Sequence, residues 1–512
     1  MSENAAEKSG RIAILPQKAY NGANLLSREA HMIILYIVLI LMAALALALL
    51  IAILRTLAMP KKQTCYVPSA DAGRINDYAE KLSRMVQVET ISDRADPAVE
   101  KFRAFHALLR ELFPKVFAAC EEVEIDGNLL LKWKGKTAKQ PILLMSHMDV
   151  VEATGTWKYP PFSGAMAEGK VWGRGAADTK CSLMAFLQAA EEMIADGYMP
   201  ECDVYLASSC TEEIGGSGAP KLAKWLKDNG VQLFMLCDEG GSIIQDPLGG
   251  VNGHYAAVGI FEKGYGDVKF IARSKGGHAS APGRNTPIPR LAKFIAAVEK
   301  KSPFKVAFSP AVEAMFERLA PYAGPFYLRL VMRNLWLFKP VLGRVMPLIS
   351  AQAAAMLKTT IAFTMQEGSR GYNVLPQEAS VCANLRFIPH QGTDESIALI
   401  TAMAAKYGLE TEVIYKGYPS KSLDLQGEAF HLVQSTIGQV FPDVCVMPYV
   451  VTGGTDARFY GEVCDSCVRF SPVLYGPEQL SGMHGLNENI DMNCLPPAVD
   501  YYKAIVRAQE NR

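Results

Sequence analysis

Hydrophobic and polar positions follow several distinct rhythms along this chain. The longest uninterrupted apolar run, "MIILYIVLILMAALALALLIAIL" at residues 32–54, contains no charged residue. As a helix it rises roughly 34 Å, more than the ~30 Å hydrocarbon core of a bilayer. A buried core helix would be shorter and amphipathic. A cleaved leader would have a shorter apolar stretch and a small-residue cleavage site, which "RTLAMPKKQ" lacks. The pattern predicts an uncleaved transmembrane anchor at 32–54, preceded by a polar tail over 1–31. Lys8, Arg11, Lys18 and Arg28 precede the run, and Arg55, Lys61 and Lys62 follow it. Charge therefore leaves the orientation open. A large body on the C-terminal side fits a single-pass protein with its N-terminus in the cytoplasm.

Beyond the anchor, "YAEKLSRMV" and "FRAFHALLRELF" carry apolar residues every three or four positions, which predicts helices within 73–119. Short apolar runs follow at 128–135, 141–146, 203–209 and 232–237, and helical patterns at 182–197 and 217–230 separate the later ones. Strands alternating with helices of this length predict βαβ units and a mostly parallel sheet. The rhythm then changes. "YGDVKFIARS" (265–274) and "EASVCANLRFIP" (378–389) alternate apolar and polar residues, as half-exposed antiparallel strands do. From about 392 the helix–strand alternation resumes. The expected architecture is α/β: one domain in two parts, 60–264 and 392–512, with an α+β segment inserted at 265–391. The mixed apolar and basic stretch 325–349 holds Arg329, Arg333, Lys339 and Arg344, too many charges for a second span. An amphipathic surface or lid element suits it better, with a membrane-facing role as the other reading.

Composition changes little in this picture. With 512 residues the chain can hold two or three domains. Lys plus Arg and Asp plus Glu each number 52, so no charge excess points to nucleic acid. The eleven scattered cysteines read as small buried hydrophobes. Only Cys464-x-x-Cys467 has redox or zinc spacing, and it lacks the second pair of a structural zinc site.

The chemistry lies where the apolar runs end. His147-Met-Asp149 follows 141–146. Asp178 follows "VWGRGAA". Glu212 and Glu213 follow 203–209 within "CTEEIGGSG", and Asp238-Glu239 follows 232–237. In open parallel sheets, ligand sites gather beyond the carboxyl ends of the strands. One such acid alone is ordinarily a solvated loop residue. Four in succession, each after a buried run, point to a two-metal site. Imidazole with carboxylates suits zinc, and two zincs need a bridging carboxylate. The Glu212–Glu213 pair can divide the work, one acid binding metal and the other staying free as a base. One ligand is still missing, for which a second histidine would be natural, and His484 in "GMHGLNENI" stands in a loop among small residues.

"HMDVV", "WKYPPFSG", "VWGRGAADTK", "TEEIGGSG", "DEGG", "SKGGHASAP", "YNVLPQEA", "LRFIPH", "GGTDAR" and "MHGLNE" occur in this order. From about residue 75 to the end, the chain resembles the co-catalytic zinc amidohydrolases related to aminoacylase and carboxypeptidase S. Within them it is most similar to carboxypeptidase S and to the N-fatty-acyl amino acid synthase/hydrolase branch. The resemblance implies two zinc ions, with His147 and Asp238 on one, Glu213 and His484 on the other, and Asp178 bridging. Glu239 is a substitute for Asp238. It further implies Glu212 as general base, Asp149 as the carboxylate orienting His147, and His278 as an oxyanion-stabilising residue, often from a partner subunit. Asn373, Arg386, Gly454 and Thr455 resemble residues that hold the substrate's carboxylate.

The expected function is a membrane-anchored hydrolase of amide bonds next to a free carboxylate, acting on small peptides or N-acyl amino acids. Reversible N-fatty-acyl amino acid synthesis and hydrolysis is the alternative at the same site. A membrane-tethered binding protein that keeps its metals without turnover is the alternative from another class. The resemblance further implies that 60–264 and 392–512 form the catalytic domain and that 265–391 is an inserted lid or dimerisation domain, with a homodimer formed through it.

Overall fold

The computed structural model describes residues 17–96 and 98–511, so residues 1–16 of the expected tail lie outside it. The chain divides into two compact units, Met1–Pro60 and Lys61–Arg512. In the first, Gln17–Leu57 forms one helix of 41 residues, starting well before the apolar run. Its segment His31–Leu57 is long and apolar enough to cross a membrane.

The second unit is built on an eight-stranded sheet. Its spatial order is Glu121–Ile125, Asn128–Trp133, Cys202–Ser208, Thr137–Met145, Met235–Gln245, Cys467–Tyr475, His254–Glu262 and Cys445–Val451. The four central strands run parallel, whereas the first three pair antiparallel and His254–Glu262 meets Cys467–Tyr475 antiparallel. The sheet is therefore mixed, not mostly parallel. A tight turn after Ile125 lets Glu121–Ile125 fold back on Asn128–Trp133 without a crossover helix.

Burial explains the local structure. All seven residues of Cys202–Ser208 are buried, as expected for a strand covered on both faces. The helix Cys181–Ala195 is apolar nearly all round and is enclosed by its neighbours, including Leu495–Arg507. Ala72–Val86 begins at Asp71, whose side chain accepts the N–H groups of Gly73 and Arg74 and so satisfies two donors the helix itself leaves open.

A four-stranded antiparallel sheet has the order Thr360–Glu367, Glu378–Phe387, Gly264–Arg273 and Glu410–Lys416. Its own core joins Phe270, Phe294, Phe387 and Ile400, drawing in the helices Pro287–Lys300 and Gly392–Ala405. The sequence pattern assigned everything after 391 to the larger sheet. Strand pairing instead carries the smaller sheet on to Lys416, because Glu410–Lys416 completes its edge beside Gly264–Arg273.

Candidate metal centre

The central parallel strands deliver their chemistry at one edge. Thr137–Met145 ends two residues before His147, and Cys202–Ser208 ends shortly before Glu212 and Glu213. Within Met235–Gln245, Asp238 and Glu239 are neighbours, and adjacent strand residues point to opposite faces. Only one of them can face the histidine. Glu239 does: its Oε1 lies 3.6 Å from His147 Nε2. Asp238 turns away and accepts the backbone N–H of Ala457 at 2.8 Å. The geometry thus replaces Asp238 with Glu239 in the ligand group that the family resemblance suggested.

Two groups of candidate ligands result. Ligand atoms of His147, Asp178 and Glu239 lie within 4.8 Å of one another, and so do those of Asp178, Glu213 and His484. Asp178 belongs to both. Its Oδ1 is 3.2 Å from His147 Nε2 and its Oδ2 is 3.3 Å from His484 Nε2. Glu213 Oε2 meets the same His484 nitrogen at 3.0 Å. One carboxylate with an oxygen directed at each group is the arrangement a bridging ligand requires.

His147, Asp178 and the glutamate pair are held from behind. The backbone oxygen of Asp149 lies 2.9 Å from His147 Nδ1, which leaves Nε2 directed at the acids. The buried Asp149 carboxylate accepts the Ser92 hydroxyl at 2.6 Å and the N–H groups of Glu212 and Glu213 at 3.1 Å each. Asp178 sits in the irregular turn Ala176–Lys180. Its N–H and that of Ala177 both donate to Glu488 Oε1 at 2.9 Å.

Electrostatics favour a cation here. Burial, then the charge of Glu239, holds the Glu212 carboxyl well above its usual range. Burial likewise raises Glu239 to about 8, with His147 opposing and Asp178 and Asp238 reinforcing the shift. Burial lowers His147, but Glu239, Asp149 and Asp178 outweigh it and hold the imidazole well above its ordinary value. His484 rises to about 10 through its contacts with Asp178 and Glu213. Crowded acids that resist ionising together form a site in which divalent cations can replace protons. Two imidazoles and three carboxylates fit two zinc ions by donor type and number. Glu212 stands in neither ligand group.

The remaining predicted residues belong to neither group. His278 is exposed on a two-residue strand paired with Val374–Leu375, and its Nδ1 lies 2.7 Å from the Ser280 hydroxyl. Asn373 is exposed, with its backbone oxygen accepting from Ala279 N–H at 2.9 Å. The Arg386 guanidinium lies 4.7 Å over the Tyr265 ring and donates from Nε to Asn384. Thr455 turns inward, with its N–H and hydroxyl both bonded to the buried Glu262. A side chain at Gly454 would collide with Arg458, since a Cβ there would lie 2.1 Å from its Nη1.

Sequence reasoning missed Arg174 and Glu488. Both stand inside quoted motifs, "VWGRGAADTK" and "MHGLNE". The available signal was two opposite charges beside ligand residues in otherwise small and apolar loops. It also missed the buried Arg469–Glu262 pair beneath Thr455, visible only as single charges within apolar strands.

A family model described as peptidase family M20/M25/M40 matches residues 143–508. The chain belongs to peptidase family M20. A relative from Dictyostelium discoideum, described as probable carboxypeptidase S-like 2, is 32% identical over 452 residues, covering 85% of each chain. The human N-fatty-acyl-amino acid synthase/hydrolase PM20D1 is 30% identical over 441 residues, covering 84% of this chain and 87% of that protein. Among solved structures, an M20 family metallo-carboxypeptidase, Sso-CP2 from Sulfolobus solfataricus, superposes with a TM-score of 0.64 at 17% identity. The match covers 85% of this chain and 99% of the other. M20 membership makes the protein a metal-dependent peptidase or amidohydrolase.

Proposed function

We propose that this M20 enzyme is a two-zinc hydrolase of amide bonds adjacent to a free carboxylate, tethered to a membrane by its N-terminal helix with the N-terminus cytoplasmic. The observation that carries the catalytic part is Asp178, with one oxygen toward each of two histidine–glutamate groups. His147, Asp178 and Glu239 would hold one ion, and Asp178, Glu213 and His484 the other. Bound there, the ions supply Lewis acidity and make a water acidic enough to deprotonate near neutral pH.

The chain's own residues supply the rest. Glu212 takes the proton of the attacking water on its carboxylate and returns it to the leaving nitrogen. Burial raises its affinity for protons, which suits holding the proton until the leaving nitrogen takes it. Asp149 fixes the His147 ring and the backbone of the glutamate pair. Arg386 grips the substrate's carboxylate, assisted by Asn373 and the Gly454–Thr455 loop. A guanidinium stacked on Tyr265 keeps its planar donor fork presented at low conformational cost. His278 donates to the oxyanion from the smaller sheet's unit, as lid and dimerisation element. This unit covers the 265–391 region of the sequence reading and the strand that continues to Lys416.

Dipeptides, the C-terminal residues of short peptides and N-acyl amino acids are the proposed substrates. A second reading, reversible N-fatty-acyl amino acid synthesis, is favoured by the similarity to the human PM20D1 protein. The detergent-solubilised full chain, assayed on dipeptides and on N-acyl amino acids of increasing acyl length, tests both. Hydrolysis that requires a free carboxylate and is lost with chelator supports the proposal. Metal-independent hydrolysis, or equal rates on carboxyl-blocked substrates, overturns it. Condensation of a free fatty acid with an amino acid at the same site supports the second reading.

A further inference from the structure

The helix Leu335–Ile349 has an outward face with almost no polarity. Its inner side packs through Leu335 and Met346, both buried, and through Gly343 against Val306 and Phe308. Outward stand Trp336, Val341, Val345, Leu348 and Ile349, with Leu348 85% and Ile349 75% exposed. At 3.6 residues per turn these positions sweep more than half of the circumference. A helix apolar nearly all round is ordinarily enclosed in a core or in lipid. This one is open on its apolar side.

Charge narrows the choice of what covers it. The single charged residue on the outward face is Arg344, and among the described residues its guanidinium has no acid partner; Nη1 donates to the Pro340 oxygen. The nearby Lys339 and Arg333 are cations paired with Glu313 and Glu317. No acid stands on the face itself. A twofold dimer over this stripe would set two such arginines in one apolar interface without a counter-charge. A lipid surface accommodates the same pattern readily: apolar side chains enter the acyl boundary, Arg344 reaches anionic headgroups, and Trp336 takes the interfacial level.

The covalent chain supplies the lipid. Only residues 58–60 separate the end of the apolar helix at Leu57 from Lys61, a reach of roughly 13 Å when fully extended. We propose that the outward face of Leu335–Ile349 is a bilayer-docking surface that seats the enzyme body on the membrane. This rests on the reading of the N-terminal helix as a membrane anchor, and on nothing in the catalytic assignment.

The test uses the full chain in vesicles of phosphatidylcholine and phosphatidylserine carrying brominated acyl chains, with tryptophan emission as the readout. Trp336 is the one tryptophan among the exposed large hydrophobic residues. Docking predicts quenching that Trp336→Phe largely removes. The double variant Leu348→Glu with Ile349→Glu should reduce it while leaving thermal unfolding and hydrolysis of a soluble substrate unchanged. Quenching that neither change alters overturns the proposal, as does a detergent-phase dimer that the double variant dissociates. Alkaline carbonate extraction distinguishes the underlying reading. If the full chain is extracted, the anchor assignment fails, and docking is then read by flotation of the extracted protein with added vesicles. Flotation weakened roughly tenfold or more by the two glutamates retains the docking surface. No flotation of the parent chain removes it.

Discussion

Arg174 and Glu488, both buried, form an ion pair with Nη1 2.8 Å from Oε2, and thereby tie the loop of Asp178 to the loop of His484. The second Glu488 oxygen takes the N–H groups of Ala177 and Asp178, while Arg174 also donates to the Gly485 oxygen at 2.8 Å. Two metal-ligand candidates far apart in sequence are thus oriented by one pair of charges. Glu488→Gln keeps the shape but leaves the guanidinium without its counter-charge. Loss of one member of a buried pair typically costs on the order of 3–5 kcal/mol. The expected outcome is a lowered unfolding temperature and metal affinity weakened roughly 10–100-fold. Calorimetry and metal titration measure the two effects separately.

Glu239 and Asp238 make a sharper pair of tests, because the strand sends them to opposite faces. Glu239→Ala should lose bound metal and activity together. Asp238→Asn should retain the metal, since its carboxylate serves the backbone of Ala457. Metal content per chain, measured by mass spectrometry after gel filtration, decides between them. Loss of metal only in the Asp238 variant would reverse the assignment.

The contrast between these two acids also marks how far the sequence was legible. Apolar runs ending in His147, Asp178 and Glu212–Glu213 pointed to three of the segments that the fold gathers into the two candidate groups, because burial on both faces leaves a composition that period and length reveal. His484 was singled out by its loop setting. Whether Asp238 or Glu239 faces His147 depends on the phase of one strand, which a continuous apolar run does not encode. The antiparallel pairs of the large sheet were hidden similarly: Asn128–Trp133 is as buried as a parallel strand, so its composition does not report its direction. Glu410–Lys416 was misassigned because a helix followed by a strand looks the same whichever sheet receives it.

Glu212→Ala should lower turnover by on the order of 10² or more while the metal content stays unchanged. The residue belongs to neither ligand group, and its backbone N–H would still donate to Asp149. Single-turnover kinetics on a saturating N-acyl amino acid separate this from weakened binding. Activity within a few-fold of the parent would remove Glu212 from the mechanism.

His106 gives the enzyme body an acid-sensitive point away from the centre. Burial, with Arg110 reinforcing it, lowers this imidazole from its ordinary 6.5 to about 4. Below pH 6.5 the unfolded chain takes up a proton that the folded chain refuses, so stability is full above 6.5 and falls as pH drops toward 4. Unfolding temperatures measured across this window should decline, and His106→Gln should flatten that part of the decline. An unchanged slope would show that other groups govern it.

His278 is the residue whose role the isolated chain displays least. Its Nδ1 accepts the backbone N–H of Ser280 at 3.1 Å, which leaves the ring proton on Nε2. The imidazole therefore presents a donor outward from an exposed strand, and among the described residues no protein acceptor meets it. A donor positioned for a transition-state oxyanion typically contributes about 2.7–4 kcal/mol, so His278→Ala should lower kcat roughly 10²–10³-fold with little change in KM or metal content. Because His278 belongs to neither ligand group, its own subunit's centre need not be the one it serves. Mixing the His278→Ala and Glu212→Ala proteins discriminates the two cases. If the residue acts across a dimer, a hybrid contains one site with both intact residues, and activity returns toward a quarter of the parent's at equal mixing by random pairing. No recovery despite demonstrated subunit exchange assigns His278 to its own subunit's site after closure of the smaller sheet's unit. Loss of metal from the His278 variant would instead make it a ligand and overturn the oxyanion role.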